Sequence, residues 1–179
     1  MAKLKTGNGS GKYKDPYAKF DVINYILDSE KTPHNYYGYF NTGNGLVMNE
    51  NLSQHVSEIV RSMDETSIQY NKANGVQLRH FFIGFAPEEL RDYRIANEIG
   101  SAIGASLAQE YQTVYAVHED TEHINIHFVM NSVSQVTGKR YGGHKDEFYR
   151  MMNMMRFVLR RYHIYKLEYV PKDAEQAYI

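Results

Sequence analysis

The chain has 179 residues, and its 20 Lys and Arg against 21 Asp and Glu give a formal net charge of −1. That length suits one domain, and that charge excludes a uniformly basic nucleic-acid binder, though not a local basic patch. Hydrophobic residues at 42% and charged residues at 23% exclude wholesale disorder, and the lack of cysteine excludes disulfides, cysteine-ligated zinc and a thiol nucleophile. A reducing cytoplasm is therefore the expected compartment. No apolar run approaches the roughly 20 residues that span a bilayer, and the N-terminus MAKLKTGNGSGKYKDP is no signal peptide, so no membrane insertion is expected.

Residues 1–14 are Gly- and Lys-rich and read as a flexible basic arm. A folded domain is expected over 15–171, followed by a polar tail at 172–179 leading toward a further region. Asp15-Pro16 marks a helix start, with Asp as N-cap and Pro at the first helical position. At about 100° per residue, Phe20, Val22, Ile23, Ile26 and Leu27 share one face, and Tyr25 falls almost opposite its centre. Asn35 to Phe40, the turn Thr42-Gly43-Asn44-Gly45 and Leu46-Val47-Met48 read as strand, turn and short strand. Leu52, Val56, Ile59, Val60 and Met63 have helical spacing, with Asn49 or Asn51 as cap. Val76 to Phe85 reads as a strand, and Pro87-Glu88-Glu89 as the acidic opening of a helix buried through Leu90, Ile95, Ile99, Ala102, Ile103 and Leu107. Gln112 to His118 and His123 to Val133 read as a hairpin. A last helix, Lys145 to Tyr162, precedes a strand at Tyr165 to Val170. Two hairpins among alternating strands and helices predict an α+β sandwich: a mostly antiparallel sheet flanked by helices, rather than a doubly wound parallel one.

The hairpin carries the chemistry. In a strand alternate side chains share a face, so His123, Asn125 and His127 point one way and Ile124, Ile126 and Phe128 the other. The apolar set needs a core, which leaves the polar set facing a cleft or solvent. His118, ending the partner strand, reaches the same side, and Asp120 can orient a ring or bind a hydrated cation. One histidine there would be an ordinary wet sheet position; three with an Asn around one hairpin point to a metal site. Without cysteine and with an amide among the donors, Mg²⁺ or Mn²⁺ fits at least as well as zinc. Tyr25, off its helix's apolar stripe, offers a phenol nucleophile that a nearby cation would activate on a phosphodiester. Tyr36, Tyr37 and Tyr39 compete for that role, against the plainer reading that they are sheet residues.

Tyr25-Ile26-Leu27-Asp28-Ser29-Glu30-Lys31-Thr32 resembles the first motif of plasmid and conjugative-transposon relaxases of the MobA/VirD type. The stretch from His118 to His127, with Asp120-Thr121 and followed by Asn131-Ser132-Val133, resembles their third. His80 to Glu89 is similar to the family's strand-then-helix segment, and Thr137 to Tyr141 also fits. The resemblance implies a nicking domain of the HUH endonuclease superfamily over 15–171. It would nick and rejoin one strand at a transfer origin through a 5′-phosphotyrosine intermediate. It makes Tyr25 the nucleophile and His118 and His127 metal ligands for Mn²⁺ or Mg²⁺. Asp120 would orient or charge-balance a ligand histidine and help deprotonate Tyr25. Family members commonly carry histidine where this chain has Asn125, so either Asn125 or His123 is the expected third ligand. Gly84 stands where a small hydroxyl residue is expected. The implied partners are single-stranded or hairpin DNA of the origin, a type IV secretion coupling protein and accessory DNA-binding proteins. A rolling-circle initiator, which usually places its tyrosine downstream of the histidines, and a non-catalytic single-strand-binding module are the alternatives.

Two basic stretches are candidates for phosphate contacts: Lys139, Arg140, Lys145, Arg150, Arg156, Arg160 and Arg161, and Lys3, Lys5, Lys12, Lys14 and Lys19. Exposed tyrosines could stack on unpaired bases. For any one of these cations, a solvated helix face is the simpler reading.

Overall fold

A computed structural model describes residues 1–7, 12–41, 47–48 and 51–171. In chain order these form β1 (Ala2–Thr6), α1 (Ala18–Ile26), β2 (Tyr37–Phe40), β3 (Val47–Met48), α2 (Val56–Gln69), β4 (Leu78–Phe85), α3 (Tyr93–Leu107), β5 (Thr113–His118), β6 (Ile124–Asn131), α4 (Lys145–Arg160) and β7 (Leu167–Tyr169). The strands make one sheet in the order β3-β2-β5-β6-β4-β1-β7. All neighbours are antiparallel except β1 and β7, so the mostly antiparallel sheet flanked by helices is what forms.

Strand alternation divides the core in two. Ile126 and Phe128 of β6, Phe81 and Ile83 of β4, and Tyr115 and Val117 of β5 lie under α3 and α4. Val129, Leu78, Val114 and Ala116 point to the other face, under α1 and α2. The hydrophobic drive to cover both faces explains the layering, since each helix offers one apolar stripe and the central strands present apolar side chains to both sides.

Several boundaries differ from the sequence expectation. Residues 2–6 are not an arm. They form β1 between β4 and β7, with Ala2 and Leu4 fully buried and Lys3 exposed. The alternation Ala2-Lys3-Leu4-Lys5 was hidden by the glycines that follow it. α1 begins at Ala18 because residues 15–17 make a turn, in which the Tyr17 amide donates to the Asp15 carboxylate at 2.8 Å. Phe20, expected inside, is 42% exposed, whereas Lys19 is fully buried with its ammonium 2.7 Å from Asp64. Lys19 therefore leaves the set of candidate phosphate contacts. α3 opens at Tyr93 rather than Pro87, because the Asp92 side chain accepts from the Arg94 amide and caps it there; Pro87 lies in a preceding turn closed by Leu90 N–H on the Ala86 carbonyl. Ile95 consequently faces outward. The turn expected at 42–45 and the tail at 172–179 lie outside the described residues.

Candidate active site

Three adjacent strands each bring one imidazole to the face under α1. Asn125 of β6 pairs with His118 of β5, and His127 pairs with Phe82 of β4. His80, two residues before Phe82, sits diagonally beside His127. The three rings form a row with His127 in the middle: its centroid lies 4.0 Å from that of His118 and 5.3 Å from that of His80.

Tyr25 closes the site from above. Ile23 and Ile26 are fully buried, which leaves Tyr25 on the outer side of the last turn of α1 and 50% exposed. Its ring meets all three imidazoles edge-on, with centroids 5.8 Å from His118, 6.2 Å from His127 and 6.5 Å from His80. The competing tyrosines are placed elsewhere. Tyr37 and Tyr39 are buried under α1 and α2, donating to Asn35 and Ser62, and Tyr36 stacks on His34.

The row is electrostatically neutral at ordinary pH. Burial, then the neighbouring His118 charge, pulls His80 down to about 4. Burial chiefly, with His118, His80 and Lys31 adding repulsion, holds His127 well below the usual imidazole range. Burial also lowers His118, opposed by the Ile26 carbonyl and Asp120. His118 donates from Nε2 to the Ile26 carbonyl at 3.0 Å; a carbonyl only accepts, so the Nδ1 of the neutral ring carries the lone pair. An imidazole nitrogen that carries its lone pair is a donor that a divalent cation can use. Among the described residues, however, no three His, Asp or Glu side chains are already grouped as a metal cage. The rings stack rather than converge.

The other expected site residues are placed less simply. Asn125 is half-buried, and its amide nitrogen donates back into the hairpin, to Thr121 Oγ1 at 3.4 Å and the His123 carbonyl at 3.2 Å. His123 lies outside β6 with its side chain exposed, and takes no part in the ring contacts around Tyr25. Asp120 is paired with Lys31, 3.6 Å from its Nζ. The Glu119 amide donates to the Lys31 carbonyl, which ties the hairpin loop to the segment after α1. Lys31 Nζ in turn stands 5.3 Å from the Tyr25 ring centroid. Asp120 thus reaches the phenol through Lys31. Lys31 lies inside the first motif with no periodic signal of its own, and His80 alternates with Phe82 along one strand while nothing local to it shows which strand lies beside it.

A groove of about 440 Å³ opens beside the tyrosine, with Lys5, Tyr13, Tyr25, His80 and Phe82 in its wall. The expected basic cluster is not there. Arg140 is an internal clamp, its guanidinium donating to the carbonyls of Val76, Lys72 and Asn74. Lys139 is exposed in the segment before α4. Lys145, Arg150 and Arg160 are exposed on α4, which covers the opposite face of the sheet.

A family model described as relaxase, MobA/VirD2-like, nuclease domain, matches residues 25–164. Protein rlx of Staphylococcus aureus is 34% identical over 83 residues, which are 46% of this chain and 26% of that protein. The group II intron-interrupted relaxase LtrB of Lactococcus lactis subsp. cremoris is 35% identical over 71 residues, 39% of this chain and 13% of that protein. The chain thus spans about a quarter or less of the length of these curated relatives. A match that runs from the exposed tyrosine, through all three strands of the imidazole row, to the end of α4 identifies the chain as a member of the MobA/VirD2-like relaxase family, corresponding to its nuclease domain.

Proposed function

We propose that this domain nicks and rejoins one DNA strand at a transfer origin, with Tyr25 as nucleophile. The observation that carries this reading is a half-exposed phenol standing edge-on over three neutral imidazoles. The Tyr25 oxygen attacks a phosphodiester, the bond from phosphorus to the 3′ oxygen breaks, and the 5′ phosphate stays on the tyrosine. The phenol proton leaves to solvent and the departing 3′ oxygen takes one up. One phosphoester bond replaces another, so the step is reversible and rejoining needs no external energy source.

His118 and His127 are the residues that would hold a divalent cation, with the Asn125 carboxamide oxygen as a further donor from the same face. A cation there supplies Lewis acidity toward a phosphoryl oxygen. Lys31 adds a fixed positive charge beside the phenol, where it would stabilise charge gathered on the crowded phosphate, and Asp120 pairs with Lys31. Lys5 and the half-buried Phe82 side of the groove would receive the strand, through phosphate attraction and base stacking. The substrate is single-stranded or hairpin DNA of the origin, handled in the bacterial cytoplasm with accessory DNA-binding proteins and a type IV secretion coupling protein. No helix among the described residues is long and apolar enough to cross a membrane.

An oligonucleotide carrying the cognate origin, incubated with the protein and Mn²⁺, should yield a covalent adduct mapped by mass spectrometry to Tyr25. Tyr25→Phe should abolish it while oligonucleotide affinity stays within about threefold, since only an exposed hydroxyl is lost. An adduct on Tyr36 would overturn the assignment. A second reading, a binding module that no longer cleaves, draws on the inward-turned amide of Asn125; lasting absence of any adduct with bound origin DNA would favour it.

A further inference from the structure

The geometry points to His80 and Tyr13 as positioning residues that fix which nitrogen of His127 keeps its lone pair. This inference builds on the proposed metal-assisted nicking but concerns groups that the family motifs leave without a role. His80 Nε2 lies 3.1 Å from His127 Nδ1. Two ring nitrogens at that distance share one hydrogen: one donates and the other accepts. With Nδ1 engaged, Nε2 is the His127 nitrogen left for a cation or a phosphate. For it to offer a lone pair, the ring hydrogen must sit on Nδ1 and be donated to His80 Nε2. His80 then carries its own hydrogen on Nδ1, which meets the Tyr13 hydroxyl at 3.3 Å. The chain runs His127 Nδ1–H to His80 Nε2, then His80 Nδ1–H to Tyr13 Oη, and each group plays a role its chemistry allows.

The surroundings are built for this pair. The Gly7 amide donates to the His80 carbonyl at 2.8 Å, carrying the chain past the ring. A Cβ at position 7 would fall 2.6 Å from His80 Nδ1 and 2.7 Å from Tyr13 Oη, so a side chain there would collide with both partners. The Gln77 amide donates to the Tyr13 carbonyl at 2.7 Å, which anchors Tyr13 to the entry of β4, the strand that carries His80. A histidine present only to fill space would not need both ring nitrogens engaged. A histidine acting as third ligand would turn Nε2 toward the cation instead of toward His127. Outer partners of this kind orient a ligand ring and raise its basicity.

Two measurements on the full chain test this. Ring ¹⁵N spectra of the metal-free protein should show His127 protonated on Nδ1, and His80→Leu should move that proton to Nε2. Titration with Mn²⁺ should show His80→Leu weakening affinity on the order of 10- to 100-fold, the usual cost of losing such a partner. His80→Gln, whose carboxamide oxygen can reach the Nε2 position and accept, should stay within about threefold, and Tyr13→Phe should lose about two- to tenfold, as for one hydrogen bond. His127 protonated on Nε2 in the unaltered protein would overturn the inference, as would a Gln variant as weak as Leu, which would make His80 a ligand. If the unaltered protein takes up no Mn²⁺, the metal-assisted reading fails, while the ring spectra still decide the His80–His127 bond.

Discussion

Tyr25 is available for chemistry because its neighbours are not: burial of Ile23 and Ile26 orients the last turn of α1 and leaves the phenol outside. That much followed from helical periodicity. His118 and His127 were legible from the hairpin pattern, since alternation assigns a face. His80 was not, because periodicity tells which residues of one strand share a face but not which strand lies beside it. The β4–β6 pairing joins residues from 39 (Phe85 and Ile124) to 53 (Leu78 and Asn131) positions apart. Lys19 shows the same limit in reverse, its burial depending on Asp64 in another helix. Lys31 should matter most in the crowded step. Lys31→Gln is expected to slow adduct formation on the order of 10- to 100-fold, with oligonucleotide affinity changing far less, measurable as single-turnover rate against binding. The imidazole row also makes stability pH-dependent. His80 is held at about 4 against an ordinary 6.5, so the unfolded chain takes up the proton first as the solution is acidified. Stability should be fully present above 6.5 and lost as pH falls from 6.5 toward 4, with one group shifted this far accounting for on the order of 3 kcal/mol. Thermal melts across that range should show the decline, and His80→Leu should flatten part of it.

At the scale of elements, β1 is the instructive case. Five residues that composition reads as a loose arm become an interior strand, because Ala2 and Leu4 complete the apolar layer beside Phe81 and Ile83 while Lys3 and Lys5 point away from it. Tertiary pairing decided this, since so short a segment has little preference of its own. Leu4→Ala should cost about 2–4 kcal/mol, as buried leucine truncations do, and appear as a lower denaturant midpoint. The start of α3 misled for a different reason. Pro87 and its acidic neighbours match a helix opening, but Asp92 supplies the side-chain cap, and the chain spends the intervening residues in a turn that places Glu89 2.8 Å from the N-terminal ammonium.

For the molecule as a whole, the two sheet faces divide the labour. One is sealed by α3 and α4; the other carries the tyrosine, the imidazoles and the groove. The number and type of elements and the antiparallel character were readable from hairpin and helix signals. The assignment of helices to faces was not, and so charged residues close in sequence to the site motifs were expected close in space. If the strand follows the groove, Arg150→Glu combined with Arg160→Glu should leave oligonucleotide affinity within about threefold at moderate salt. Lys5→Glu should weaken it by about tenfold and make the salt dependence shallower. Electrophoretic mobility shifts at two salt concentrations separate the two outcomes.

The hydrogen bond from His118 to the carbonyl of Ile26 has a practical meaning for mutagenesis. Ile26 ends α1, so this imidazole also satisfies one of the carbonyls that a helix leaves open at its last turn. Truncating position 118 would fray the tether of the tyrosine as well as delete a donor, whereas truncating position 127 leaves that tether intact. An alanine scan that treated the two histidines as equivalent would overcount the first, and the excess of one defect over the other is itself a measure of how much rate depends on anchoring the proposed nucleophile.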